Sequence, residues 1–117
     1  MSFFKAKFRP TDTLWSKYIR RVGKCEICGR SDIKLENAHY FSRGKENTRF
    51  DERNCHCLCF TCHQKSHSDK DYYKNWLIEK YGQEWLDKLE LDSNTYKKRD
   101  DKADKIIIKE LLKELND

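Results

Sequence analysis

Four of the six cysteines in this chain form two Cys-x-x-Cys pairs, and thirty residues lie between the pairs. The four are Cys25, Cys28, Cys59 and Cys62. Two pairs of this kind are the usual source of the thiolates that hold a structural Zn²⁺ in a tetrahedron. Gly29 follows the first pair and favours the turn that lets backbone amides face the sulfurs. The spacing therefore predicts a four-cysteine structural zinc site, in preference to free thiols or disulfides.

Three histidines and one asparagine around the second pair suit hydrolytic chemistry. An imidazole with a pKa near the operating pH can act as a base that activates water, and we assign this role to His39. A buried amide at Asn54 can donate and accept together, which would tie down the loop between two strands and orient His39. His63 and His67 stand four residues apart, so on a helix both imidazoles reach one divalent ion. That ion would stabilise the departing oxygen of a phosphodiester while His39 directs water at phosphorus.

Three arginines near these residues are candidates for substrate binding. Arg43, Arg49 and Arg53 carry guanidinium groups, whose paired N–H donors match the oxygens of a phosphate. The alternative is that they form ion pairs with Asp51 and Glu52, and the sequence favours the two uses almost equally.

The remaining cysteines and one further histidine alternate along the second predicted strand. Cys55 and Cys57 are predicted to be small core residues, because four better-spaced thiolates are available for a metal. His56 stands between them and is expected to face the protein interior or DNA rather than a metal ion.

Composition and charge set the context for these motifs. Of the 117 residues, 37% are hydrophobic and 38% are charged, so the core is thin and would benefit from a metal ion. Six cysteines without a recognisable signal peptide favour a reducing, cytoplasmic location, and no apolar run is long enough to span a membrane. The net charge is +5, and residues 1–24 contain seven Lys or Arg and one Asp. A basic arm of this kind indicates a polyanionic partner such as DNA.

The hydrophobic pattern predicts an α+β fold with helices on both sides of a central ββα unit. Helices are expected at residues 12–22, 59–67, 68–81, 83–91 and 106–115, and strands at residues 35–41 and 54–58. Thr11 or Asp12 would cap the first helix, and Gly82 would end the third. We divide the chain into a basic arm and helix (1–24), a zinc-stapled core (25–68), flanking helices (69–92), and a polar linker with an amphipathic helix (93–117).

The order His39, Asn54, His63, framed by the two cysteine pairs, resembles the HNH, or ββα-metal, endonucleases. Longer segments between residues 12 and 90 narrow the likeness to the NinG (Rap) phage recombination proteins. They are Asp12-x-Leu14-x-Ser16-Lys17-Tyr18-Ile19-Arg20, Cys25-x-x-Cys28-Gly29, Ala38-His39-Tyr40, Arg43, Arg49-Phe50-Asp51-Glu52-Arg53-Asn54-Cys55-His56 and Tyr81-Gly82. Residues 91–117 show no counterpart. The resemblance implies a phage-encoded DNA endonuclease of the bacterial cytoplasm that acts in recombination on branched DNA and leaves 5′-phosphate and 3′-hydroxyl ends.

Two departures from these families concern the metal site. Many HNH enzymes carry a metal-binding Asp or His directly before the base, where this chain has Ala38. NinG-type proteins tend to have Asn after the second cysteine pair, where this chain has His63. The expected catalytic ion is Mg²⁺ or Mn²⁺, with Zn²⁺ or Ni²⁺ as alternatives, held by His63 and His67. Asp69 or Asp71 could replace His67.

Other functions fit the same sequence. The cysteine pairs could support a zinc-stapled DNA-binding module without catalysis, or an accessory factor of phage DNA packaging. One catalytic centre cuts one strand, so double-strand cleavage would need two copies. Residues 106–115 could form the interface of a homodimer, or pack back on the core.

Overall fold

Five α-helices surround a two-stranded hairpin in the computed structural model, which describes residues 7–115. The helices are α1 (Pro10–Ile19), α2 (Phe60–Ser68), α3 (Lys70–Tyr81), α4 (Gln83–Asn94) and α5 (Asp101–Glu114). The strands are β1 (Leu35–His39) and β2 (Cys55–Cys59), with 3₁₀ turns at Arg20–Val22, Glu46–Thr48 and Glu52–Asn54. The predicted α+β class is confirmed.

The hairpin stands between two hydrophobic clusters. β1 and β2 run antiparallel with His39 opposite Cys55 and Leu35 opposite Cys59. Alternate side chains of a strand point to opposite faces, so Leu58 packs with α3 and α4 while Cys57 packs with α1 and α5. All five residues of β2 are buried. The predicted strands are therefore found, with ends shifted by one or two residues.

The first helix begins earlier than predicted. Arg9 occupies the N-cap, and Pro10 is the first helical residue, where a missing N–H costs nothing. Asp12 lies in the first turn and accepts a hydrogen bond from the backbone N–H of Arg9 at 2.7 Å. The predicted cap at Thr11 or Asp12 was therefore wrong. The helix continues as a 3₁₀ turn and ends at Gly23, whose φ of +77° favours glycine.

The C-terminal helices follow the predicted pattern with two extensions, since α4 continues to Asn94 and α5 begins before residue 106. Gly82, with a φ of +95°, separates α3 from α4 as expected. Helix α5 starts at Asp101, within the predicted linker, because the Asp100 carboxylate accepts hydrogen bonds from two backbone amides of the first turn. Its residue Ile108 is buried beside Trp15, so α5 packs back on the core. Among the described residues, no helix is both long and apolar enough to cross a bilayer.

Candidate functional site

The four paired cysteines converge on one point. Their sulfur atoms all lie within 4.8 Å of one another, and within residues 7–115 they form the only group of three or more metal-ligating side chains placed so closely. The Sγ atoms of Cys28 and Cys59 are 3.7 Å apart. Tetrahedral Zn²⁺ with Zn–S bonds of about 2.3 Å places its sulfurs roughly 3.8 Å apart, so the donor set fits zinc. The cluster that the spacing predicts is therefore formed.

Local structure explains how the two pairs meet. Cys25 and Cys28 flank a tight turn, in which the Gly29 N–H donates to the Cys25 carbonyl at 2.9 Å and Gly29 has a φ of +81°. Cys59 ends β2 and also caps α2, because its sulfur accepts the Cys62 N–H at 3.4 Å. Burial raises the pKa of the Cys25 thiol, but backbone amide hydrogen bonds outweigh burial and lower that pKa to about 7. The thiolate is thus favoured at Cys25, whereas the pKa values of Cys28 and Cys62 are raised, so these two cysteines need the metal to deprotonate them.

Tyr72 completes this centre from α3. Its hydroxyl donates to the Cys62 sulfur at 3.3 Å, and the Lys65 ammonium lies 4.4 Å from its ring centroid. Sequence reasoning missed Tyr72, because a tyrosine ten residues beyond a cysteine gives no signal until α2 and α3 pack together.

His39 ends β1 and is held in one tautomer. Its Nε2 atom lies 3.1 Å from the carbonyl oxygen of Arg49, and a carbonyl only accepts, so Nε2 carries the proton. Its other ring nitrogen, Nδ1, is then free to accept a proton. Burial lowers the pKa of His39, and the hydrogen bond to Arg49 offsets only part of this decrease. The ring is therefore neutral at pH 7.

Asn54 ties the loop between the strands, as the sequence predicts. The residue is buried directly before β2. Its Nδ2 donates to the carbonyls of Phe41 at 3.0 Å and Thr48 at 3.2 Å, and its Oδ1 accepts the Phe41 N–H at 2.7 Å. Its own carbonyl accepts the Tyr40 N–H at 2.9 Å. Asn54 therefore positions the backbone that follows His39, and no hydrogen bond of the described residues joins it to the imidazole.

His63 lies in the first turns of α2 and is oriented by a carboxylate. Its Nδ1 donates to Glu36 Oε1 at 2.8 Å, which leaves Nε2 as the free nitrogen. A carboxylate bound to the far side of an imidazole is the usual partner of a metal-ligating histidine. The sequence analysis missed Glu36. The available signal was strand pairing, since Glu36 lies opposite Leu58, five residues before His63.

The candidate base and the candidate ligands line one cavity of about 490 Å³. We call it the histidine cavity, and its walls include Asn37, His39, Ser42, Arg43, His63 and His67. The ring centroids of His63 and His67 are 4.9 Å apart. Asp69 and Asp71 do not line it; Asp69 instead caps α3 by accepting the Asp71 N–H at 3.1 Å. The structure therefore brings together the three histidines and Arg43.

Arg49 forms a buried ion pair. The sequence leaves phosphate binding as an almost equal possibility for this residue. Its side chain is 1% exposed and bonds both carboxylate oxygens of Asp12, at 3.0 and 2.6 Å. Further donors reach the carbonyls of Lys7 and Arg43. Burial raises the pKa of Asp12, but the hydrogen bonds from Arg49 and from the Arg9 amide, together with the charge of Arg49, outweigh burial and lower that pKa. The guanidinium is thus fully engaged, and Arg49 acts on the site through its carbonyl, which holds His39.

Arg53 and His56 lie away from the histidine cavity. Arg53 pairs with Asp51 at 2.6 Å, as the alternative interpretation predicts, and also with Asp92 at 2.9 Å. These pairs and its position on another cavity place Arg53 away from His39, and its assignment as a phosphate ligand stays a prediction. His56 is buried against the Tyr73 hydroxyl, and burial lowers its pKa to about 3. Cys55 is a core residue, as predicted, and its sulfur accepts the Trp15 indole N–H at 3.2 Å.

Comparison with known sequences identifies the family. A family model described as "Bacteriophage Lambda NinG protein" matches residues 8–117. The chain belongs to the NinG family. The match extends through α5, so residues 91–117 do have a NinG counterpart, contrary to the sequence analysis.

Curated NinG proteins cover part of the same region. The chain is 32% identical over 75 residues to Protein ninG of Escherichia phage 933W and, equally, of Enterobacteria phage VT2-Sa. Each alignment covers 62% of this chain and 37% of the relative, so the chain spans well under half of those NinG proteins. No solved structure matches the chain.

Proposed function

We propose that this NinG-family protein is a metal-dependent DNA endonuclease that acts in phage recombination on branched DNA. The observation that carries the proposal is the histidine cavity, where a neutral His39 with a free Nδ1 faces the same space as His63 and His67. Family membership supports the phage setting. The reaction is inferred from the site, and branched DNA as the substrate is inferred from the resemblance of the sequence to the NinG proteins.

His39 acts as the general base in this scheme. Its Nδ1 takes a proton from water as the water oxygen forms a bond to phosphorus. The bond from phosphorus to the 3′-oxygen breaks and that oxygen takes a proton from solvent water, which leaves a 5′-phosphate and a 3′-hydroxyl. The Arg49 carbonyl keeps the proton on Nε2, so that Nδ1 remains the accepting nitrogen during the reaction.

A divalent ion fits the remaining donors. His63, oriented by Glu36, and His67 would hold it, and when bound it supplies charge stabilisation to the phosphate and the departing oxygen. Arg43 lines the same cavity and forms no ion pair within residues 7–115, so its guanidinium is free to bind a phosphate oxygen.

Cleavage of supercoiled plasmid and of a synthetic four-way junction with Mg²⁺ or Mn²⁺ tests the proposal. We expect His39→Ala to lose cleavage by about 10²- to 10⁴-fold, the usual contribution of a general base, while DNA binding persists. Asn75→Ala is the control, since Asn75 is exposed on α3 and lines neither the histidine cavity nor its neighbours. Failure of the unaltered protein to cut with either metal would contradict the proposal.

A DNA-binding module without catalysis is the second candidate, and one observation favours it. Ala38, which stands where many HNH enzymes carry a metal ligand, is fully buried in the core and offers no donor. A DNA-binding module of this kind would bind the four-way junction with strong salt dependence but would not cut it. An accessory role in DNA packaging would instead give weak DNA binding that changes little with salt.

A homodimer would supply the second centre that cleavage of both strands requires. Ile106 and Ile107 of α5 remain 66% and 58% exposed after Ile108 has packed on α1, so they offer an apolar surface. Light scattering of the double variant Ile106→Lys/Ile107→Lys tests this proposal and leaves the buried side of α5 intact. An unchanged mass would exclude this interface.

A further inference from the structure

A second cavity adjoins the histidine cavity. It measures about 400 Å³ and is formed by Tyr40, Phe41, Ser66, Lys70 and Tyr73; we call it the aromatic cavity. Both cavities also share His39, Ser42 and His67 as lining residues. The two spaces are therefore parts of one groove with the proposed reaction centre at its middle.

The charges along this groove suit a nucleic-acid strand. Arg43 lies in one half, stacked 5.2 Å from the Phe8 ring centroid, and Lys70 lies in the other half as the first residue of α3. Neither side chain forms an ion pair in the part of the chain that the structure describes. The one acidic residue lining either half, among those described, is Asp12, which Arg49 already neutralises. A cation therefore stands on each side of His39.

The wall of the aromatic cavity is rigid and apolar. Tyr73 is 4% exposed and its hydroxyl donates to the Ala38 carbonyl at 3.3 Å, which fixes the ring. Tyr40 packs edge-on against both Tyr73 and Phe41, with ring centroids 5.0 and 4.8 Å apart. Asn54 holds the backbone of Phe41. A fixed aromatic wall beside an ammonium group presents one surface for a base or sugar and one charge for a phosphate.

We infer that the aromatic cavity is a nucleotide subsite, which holds the residue of the DNA strand next to the scissile phosphate. Lys70 binds the phosphate of that nucleotide, and Phe41 with Tyr40 contacts its sugar or base. The inference rests on the proposed function, because the nuclease assignment supplies the strand that runs through the groove.

Salt dependence of DNA binding tests the Lys70 contact. A fluorescent four-way junction is titrated with Lys70→Ala, Lys70→Arg and the control Lys74→Ala, which removes an exposed lysine one turn along α3 that lines neither cavity. Each phosphate contact contributes about 0.9 to the slope of log K against log salt, so Lys70→Ala should reduce the slope by about 1. Lys70→Arg should restore it, and Lys74→Ala should match the unaltered protein. Equal slopes for the two alanine variants would overturn the inference.

Phe41→Ser tests the aromatic wall separately. Loss of a stacking or sugar contact should weaken binding about tenfold without changing the salt slope. If Phe41→Ser binds DNA as tightly as the protein without substitutions, this wall has no role in binding. If the protein without substitutions does not bind DNA, the inference also fails. If the slope changes as expected but no DNA is cut with any divalent metal, then the nuclease assignment fails while the subsite stands as a binding site.

Discussion

Removal of the Asp12 carboxylate should lower the free energy of unfolding by far more than the loss of one surface charge would. Asp12→Ala leaves the Arg49 guanidinium, 1% exposed, in the interior with only the more distant Glu46 carboxylate, at 3.4 Å, as a counter-ion. It also deletes the acceptor of the Arg9 amide at the start of α1. Breaking a buried ion pair by removing one partner costs about 3–5 kcal/mol in the free energy of unfolding. For a chain of this size the melting temperature should fall by roughly 12–20 °C.

The chain contains a matched control for this prediction. Arg30 and Asp32 form a pair of similar geometry, with two N–O distances of 3.0 and 3.1 Å, but both side chains are more than half exposed. Asp32→Ala should therefore leave stability close to that of the unaltered protein. Urea unfolding followed by circular dichroism measures both variants. Equal effects at the two positions would refute the reasoning, because the Asp12 pair is buried and the Asp32 pair is exposed.

The pH dependence gives an independent check. The pKa of Asp12 is lowered in the folded protein, so its contribution to stability is present above its unfolded pKa of about 3.9 and is lost as the pH falls through the folded value. The stability difference between the unaltered protein and Asp12→Asn should thus be constant near neutral pH and shrink in strong acid. A difference that grew as the pH fell below 4 would have the wrong sign. In cleavage assays Asp12→Asn should also slow the reaction, since Arg49 holds His39.

Three further predictions concern the two centres. Since burial lowers the pKa of His39, the cleavage rate should rise with pH through a midpoint below 6.5 and then stay level; a midpoint above 7 would exclude this base. Glu36→Gln should weaken Mn²⁺ binding about 10- to 100-fold in calorimetry, because His63 loses its orienting carboxylate. The control Glu79→Gln changes an exposed residue and should leave Mn²⁺ binding unchanged. A strong chelator with a thiol reagent should release one zinc per chain and unfold the protein, and retained helicity after zinc loss would contradict a structural role for the four-cysteine centre.

Local patterns in the sequence were enough to predict much of the fold. The Cys-x-x-Cys pairs, the alternation along β2 and the glycines that end α1 and α3 are short-range signals, and each corresponds to a feature of the structure. The first helix was placed too late because Asp12 looks like a cap in isolation. Its carboxylate instead serves Arg49, 37 residues away. Nothing in a local window distinguishes those two uses.

The same limit applies to the site. His39, His63 and His67 could be proposed from order and spacing, and the structure places them on one cavity. The roles of Arg49 and Arg53 could not be separated, because a guanidinium serves a phosphate or a carboxylate equally well. Burial decides between the two, and burial depends on how α1 packs on the loop before β2. Glu36 was missed because its partner, His63, comes from another element, and only the pairing of β1 with β2 indicates that the two lie close together.

The arrangement of β2 has a consequence for folding. Four of its five buried residues belong to the hydrophobic clusters, two to each, so both clusters depend on this strand. Loss of α5 would open the cluster around Trp15 and loosen β2, which carries Cys59 at its end. Loss of α5 should therefore weaken zinc retention by the four-cysteine centre. Calorimetry should show a single melting transition, in which the four-cysteine centre and the helices unfold together.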